Sequence, residues 1–360
     1  MPFGYAGFGI VCALRLGKST TNLAHGRSLI PQWIAACQEN YVMRYLSLLL
    51  FLTAIVAPVI WGEENAHHQL YQAFVLEKQG QFAQAIRSIP SLIESHELTT
   101  GEVGRAWTLL GYAYQEQWKF DQAQNAYEHA LHIQEGDPQY LGDCANTLNF
   151  FAGLYQVMGQ PEAATKMLTR ALSIHGQLKD HHSMARTYAT LAETQLQQKH
   201  LRPAKASLEK ALAEAKLTNE LTDDDHVYTS DTQAWVASED GDKSKALAGY
   251  QHSLELLRQS HGEEYALTGI AHLLLGKAYA AKKQFNEALA NMREGIGILD
   301  RTVGPRNPHY LQGQILYSEV LDRSGLHEEA ERLKTAAQQG LKDLLGGQCM
   351  GCTVSAASFR

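Results

Sequence analysis

Residues 105–130 read RAWTLLGYAYQEQWKFDQAQNAYEHA. Two small residues, Gly111 and Ala123, stand twelve apart, and each is set among large apolar side chains: Trp107, Leu110 and Tyr114 around the first, Phe120 and Tyr127 around the second. The stretch has no strand-like alternation. It reads as two short helices joined by a turn, with small residues where their backbones approach and aromatics filling the space beside them.

The same arrangement recurs along the chain. Ala85, Ala123, Ala164, Ala204, Ala246, Ala288 and Ala330 are separated by 38, 41, 40, 42, 42 and 42 residues. Twelve residues before each comes another small residue: Ala73, Gly111, Ala152, Ala192, Ala234, Gly276 and Ser318. Four residues after each come Ile89, Tyr127, Leu168, Leu208, Tyr250, Met292 and Lys334, and seven residues after (eight at Leu254) come Leu92, Ala130, Ala171, Ala211, Leu254, Gly295 and Ala337. Offsets of four and seven return to one helix face. A glycine precedes most second helices, at Gly80, Gly159, Gly241 and Gly325. Several ladders in one phase make a repeat, and a helix pair that leaves an apolar face open must stack on its neighbours. The expected fold is an all-α, right-handed α-solenoid of about seven tandem helix-turn-helix repeats over residues 67–345.

In order and spacing, Trp107, Leu110, Gly111, Tyr114, Phe120, Ala123, Tyr127 and Ala130 resemble the tetratricopeptide repeat. The period of about 42 resembles the long-repeat variety found in kinesin light chains and in bacterial multi-repeat proteins. Gly136-Asp137-Pro138, Gly304-Pro305-Arg306-Asn307-Pro308 and the run Leu148 to Tyr155 resemble that variety's turn and first helix. Some positions depart from the pattern. Gln69 replaces an apolar residue, Ser230 and Gln233 fall at apolar positions, and Pro90 should kink or shorten its helix by removing a backbone donor. Lys334 at a core position marks repeat seven as the polar cap.

The resemblance implies a non-catalytic scaffold that binds a partner peptide or helix in the concave groove formed by the first helices. Carried over position by position, the groove residues are Arg105, Thr108, Tyr112 and Gln115; Asn146, Asn149 and Gln156; Arg186 and Glu193; Tyr228, Asp231 and Trp235; and Leu273 and Lys277. Asn149 is implied as a clamp on a ligand's main chain, because an amide both donates and accepts. Trp235 is implied either as an exposed anchor or as local packing.

Composition narrows the alternatives. Thirty-eight acidic against 31 basic residues give a net charge of −7, without the basic stripe of a nucleic-acid binder. No P-loop, dinucleotide, zinc-protease or serine-hydrolase motif is present, so no catalytic residue, cofactor or metal is expected. The pairs His67-His68 and His181-His182 diverge on a helix and are expected in a tail and a loop. Of five cysteines only Cys144 lies inside the array. Cys349-Met350-Gly351-Cys352 has redox-pair spacing within a flexible tail, 346–360, and carries the alternative reading of an accessory, redox-linked region.

Residues 43–62, MRYLSLLLFLTAIVAPVIWG, have the layout of a signal peptide, which makes 1–42 a possible mis-start. Retained as an anchor, 45–61 would associate with a membrane. Arg15, Lys18, Arg27 and Arg44 precede it, so either form puts the repeats outside the cytoplasm. Cytoplasmic residence is the alternative.

Overall fold

A computed structural model describes residues 66–345. The segments 1–42 and 43–62 and the tail with Cys349 and Cys352 lie outside the described residues. Within them the chain is all-α, fourteen helices and no strand, arranged as seven antiparallel pairs. Helix α1, described over 66–78, pairs with α2 (Phe82–Glu94), α3 (Thr100–Glu116) with α4 (Phe120–Gln134), and α5 (Leu141–Val157) with α6 (Pro161–Leu178). Then α7 (His181–Gln197) pairs with α8 (Leu201–Ala215), and α9 (Asp223–Glu239) with α10 (Lys243–Ser260). The last pairs are α11 (Ala266–Ala281) with α12 (Phe285–Thr302), and α13 (Pro308–Arg323) with α14 (His327–Leu345). No described helix is long and apolar enough to cross a membrane.

The small-residue ladders are where the paired helices touch. A Cβ on Gly111 would stand 2.7 Å from the ring of Tyr127, a fully buried side chain. Gly276 does the same for Met292, sixteen residues on in both cases, where a Cβ would stand 3.0 Å from the Ala288 carbonyl. The ladder alanines Ala85, Ala123, Ala164, Ala204 and Ala288 are wholly buried.

The turn inside each pair follows one pattern in all seven repeats. The residue five before each ladder alanine is left-handed: Gly80, Trp118, Gly159, Lys199, Gly241, Lys283 and Gly325. The next N–H donates to the carbonyl five residues back, as in Gln81 to Leu76, Lys119 to Tyr114 and Asp242 to Ala237, which closes each first helix in a Schellman-type cap. Glycine meets the geometry at four of these turns. Trp118, Lys199 and Lys283 adopt it with side chains that disfavour it.

Departures from the pattern are absorbed locally. Pro90 sits inside α2, which at 13 residues is the shortest second helix but is not broken. Ser230 is buried and donates to the Gly249 carbonyl at 3.1 Å. Lys334 is exposed on α14. The histidine pairs are helical rather than in a tail and a loop: His67 and His68 lie in α1, His181 and His182 open α7. His67 meets Glu102 at 2.6 Å, His181 meets Glu214 at 2.7 Å, and His182 meets Asp225 at 3.0 Å. His67 and His182 thereby reach the neighbouring repeat, whereas His181 ties α7 to α8 within its own pair.

The array curls back on itself. Lys78 of repeat one lies 3.2 Å from Asp224 of repeat five, and His309 of repeat seven lies 2.9 Å from Glu116 of repeat two. Leu311, Ile315, Ala337 and Leu341 of the last pair belong to the apolar cluster of Trp118, Phe120, Tyr127 and Phe151.

Candidate functional site: the concave pocket

The first helices of repeats two to six face one another across a cavity of about 280 Å³. Tyr112 and Gln115 come from α3, and Asn149, Phe150, Gly153 and Gln156 from α5. Arg186, Thr190 and Glu193 come from α7, and Asp224, Asp225, Val227, Tyr228 and Asp231 from α9. Leu257, Leu267, Ile270 and Ala271 close the apolar side.

Polar contacts between successive first helices set the wall. The Tyr228 hydroxyl donates to Glu193 at 2.7 Å, and Thr232 donates to the other oxygen of the same carboxylate at 2.8 Å. Gln156 donates to Thr194 at 2.7 Å and to the Thr190 carbonyl at 3.3 Å. Asn149 carries a buried Oδ1 with no hydrogen-bond partner. A buried amide oxygen left unsatisfied is costly. Gln115 spends its oxygen on the Tyr127 hydroxyl at 3.1 Å, and a Cβ on Gly153 would stand 3.6 Å from its amide nitrogen.

The acidic side lies at the start of α9. Thr222 and Asp225 form a capping box, each bonding the other's backbone N–H. Burial would raise the Asp225 carboxyl, but the Thr222 N–H and hydroxyl, with Arg186 and His182, outweigh it and hold it below the ordinary range. Arg186 Nε lies 3.2 Å from Asp225. Burial likewise opposes ionisation of Asp224, and His261 at 2.8 Å with Lys78 at 3.2 Å overcomes it. Behind the pocket, burial and the nearby Glu116 push the Glu77 carboxyl up to about 9, against the pull of Lys78. Burial, then Glu116 and Glu77, hold the Tyr112 phenol well above its usual value.

Of the residues carried over from the repeat resemblance, Tyr112, Asn149, Arg186, Glu193, Tyr228 and Asp231 line this cavity together with Gln115 and Gln156. Asn146 lines a smaller hollow beside it with Asn149 and Arg186. The others are placed elsewhere. Arg105 pairs with Asp143 at 3.3 Å on the surface. Thr108 is buried between helices, 2.7 Å from Thr147. Trp235 lies against the cluster of Leu196, Leu208 and Val236 with its indole N–H toward Glu239 at 3.4 Å, and Leu273 is fully buried. Lys277 is not among the lining residues.

Sequence reading missed Ile270, although it stands 42 residues after Tyr228 and 84 after Arg186, so the period itself pointed to it. It also missed Asp224 and Asp225. Their signal was Thr222 three residues before an acid, a helix start whose carboxylates point to the groove only after folding. Among the described residues no cluster of ligating side chains could hold a metal ion. Cys144 is buried with a free thiol, pushed up by burial.

Fold and cavity together define a helical-repeat array with a concave face. Tetratricopeptide-repeat models match residues 104–137 and 143–216, so the chain carries tetratricopeptide repeats there. Such arrays are protein-interaction scaffolds, and this chain is one. A Rap protein complexed with competence and sporulation factor is similar in fold, at 14% identity and TM-score 0.50, over 79% of this chain and 99% of that one. A putative kinesin light chain repeat structure from Podosopora anserina is 18% identical at TM-score 0.43, covering 56% and 96%. A tetratricopeptide repeat protein from Parabacteroides merdae is 13% identical at TM-score 0.45, covering 79% and 98%. No curated protein matches the chain.

Proposed function

We propose that the concave pocket holds an extended segment of a partner protein, without catalysis, and that Asn149 clamps its main chain. The observation that carries this reading is the buried, unpartnered Oδ1 of Asn149 on the wall of a preformed cavity. A ligand N–H satisfies that oxygen, while the Asn149 amide nitrogen donates to the ligand's next carbonyl. Tyr112 and Phe150, whose rings lie 5.4 Å apart, with Leu267 and Ile270, offer apolar contact for alternate side chains. The Rap protein of similar fold is complexed with a factor of its own.

The test is binding of the full chain to an array of extended peptides. Asn149→Ala should weaken the bound set about tenfold, the loss of one or two buried hydrogen bonds, with helicity unchanged. Undiminished binding by Asn149→Ala removes the clamp. We further read the protein as exported, on residues 43–62 alone. Fractionation that leaves the full-length chain in the cytoplasm overturns that part.

A further inference from the structure

We propose that Lys78 is an internal stand-in for a ligand cation, and that the partner segment carries a basic side chain that replaces it at Asp224. This rests on the reading of the concave pocket as a peptide site.

Lys78 ends α1, and its ammonium crosses to a carboxylate 146 residues further on, at the wall of the cavity. Its side chain is 56% exposed and Asp224 33%, so this pair is screened by water and weakly held. Asp224 is fixed in place independently: its other oxygen faces His261 Nε2 at 2.8 Å. Removing Lys78 therefore leaves an oriented, ionised acceptor at the pocket wall.

The charges around it select the replacement. Among the lining residues four carboxylates, Glu193, Asp224, Asp225 and Asp231, stand against one guanidinium, Arg186, which is engaged by Asp225. The cation at Asp224 is supplied from outside the wall, by repeat one. An acidic ligand side chain would meet like charge on this side. A lysine or arginine would inherit the contact that Lys78 makes, and Lys78 would return to water at little cost. The exchange also frees repeat one from repeat five, so occupancy of the pocket and closure of the array are linked.

The test uses the full chain and two pools of N-acetylated, C-amidated hexapeptides. The pools are identical except that one fixed position is lysine in the first and norleucine in the second. Fluorescence anisotropy should show the lysine pool binding about tenfold more tightly. Lys78→Met should tighten the lysine pool by about threefold or more, because the competitor is gone, and should leave the norleucine pool nearly unchanged. Asp224→Asn should equalise the pools. If that variant fails to fold, the Lys78→Met result decides alone. Equal affinity for both pools in the wild type and in Lys78→Met overturns the proposal, as does weaker lysine-pool binding by Lys78→Met. If the pools bind equally and Asn149→Ala weakens both, the peptide reading stands and the basic preference falls. If neither pool binds any variant, both fall.

Discussion

His309 Nε2 lies 2.9 Å from Glu116 Oε2, which ties the second residue of α13 to the last residue of α3 across 193 positions of sequence. A solenoid stabilised only by nearest neighbours has no such contact. Here both side chains are more than four-fifths buried, so the bond joins repeat two to repeat seven away from bulk water.

Replacing His309 by alanine should therefore loosen repeats two and seven before the middle. The expected loss is about 2 kcal/mol, that of a partly buried hydrogen bond to a charged group. Hydrogen exchange should speed up in α13 and at the end of α3 while α7 keeps its protection. Uniform loss along the array would show that the contact does not act as a tie between those repeats.

Glu77 is buried with an oxygen that has no partner, and its carboxyl is raised to about 9 by burial and by Glu116. The folded state therefore holds this proton more tightly than the unfolded chain does. Its contribution to stability is complete below the unfolded value near 4.5 and is lost as pH rises toward about 9. Glu77→Gln keeps the shape and removes the titration. Its melting temperature should exceed the wild type's by several degrees at pH 8, with the difference vanishing near pH 4. A wild-type excess at pH 8 would contradict this.

His175 and His272 carry the opposite sign. Burial lowers both imidazoles, and His175 is fully buried, with Asp180 at 3.6 Å and with Arg186 and His182 adding to the lowering. The unfolded chain takes up protons first, so stability present at neutral pH falls once pH drops below about 6.5. His175→Leu should unfold with a smaller drop between pH 7.5 and 5.5 than the wild type, measured by urea titration at each pH. An equal drop would place the acid sensitivity elsewhere.

The seven left-handed turns allow a comparison within one molecule. Lys199→Gly and Lys283→Gly remove a side chain from a conformation it disfavours, at φ of 61° and 63°. Each should stabilise by about 0.5–1 kcal/mol, the conformational gain being partly offset by the freedom glycine adds to the unfolded chain. Gly241→Ala, in open space at φ 86°, should destabilise by about 1 kcal/mol from backbone strain alone. Chemical denaturation of the three variants checks both directions.

Gly111→Ala tests the packing ladder. Its new methyl would stand 2.7 Å from a rigid, fully buried Tyr127 ring, and overpacking of this kind costs about 1–3 kcal/mol. A neutral result in thermal unfolding would mean that the helix pair slides apart freely.

The sequence by itself determined the repeat. Small residues at Gly111 and Gly276, their large partners at Tyr127 and Met292, and the turns at Gly80, Gly159, Gly241 and Gly325 are local relations within 16 residues or fewer, so a period read from spacing captures them. Through the repeat resemblance it also pointed to eight of the side chains that line the pocket, because residues at one register of successive first helices share a face. Only the tertiary structure decided how far the array bends. The rotation from one pair to the next depends on how side chains such as Thr108 and Trp235 interlock between repeats, and small angles add up from repeat one to repeat five and from repeat two to repeat seven. That sum brings Lys78 to Asp224 and His309 to Glu116, and it gathers the first helices around a pocket. No single stretch of sequence contains it.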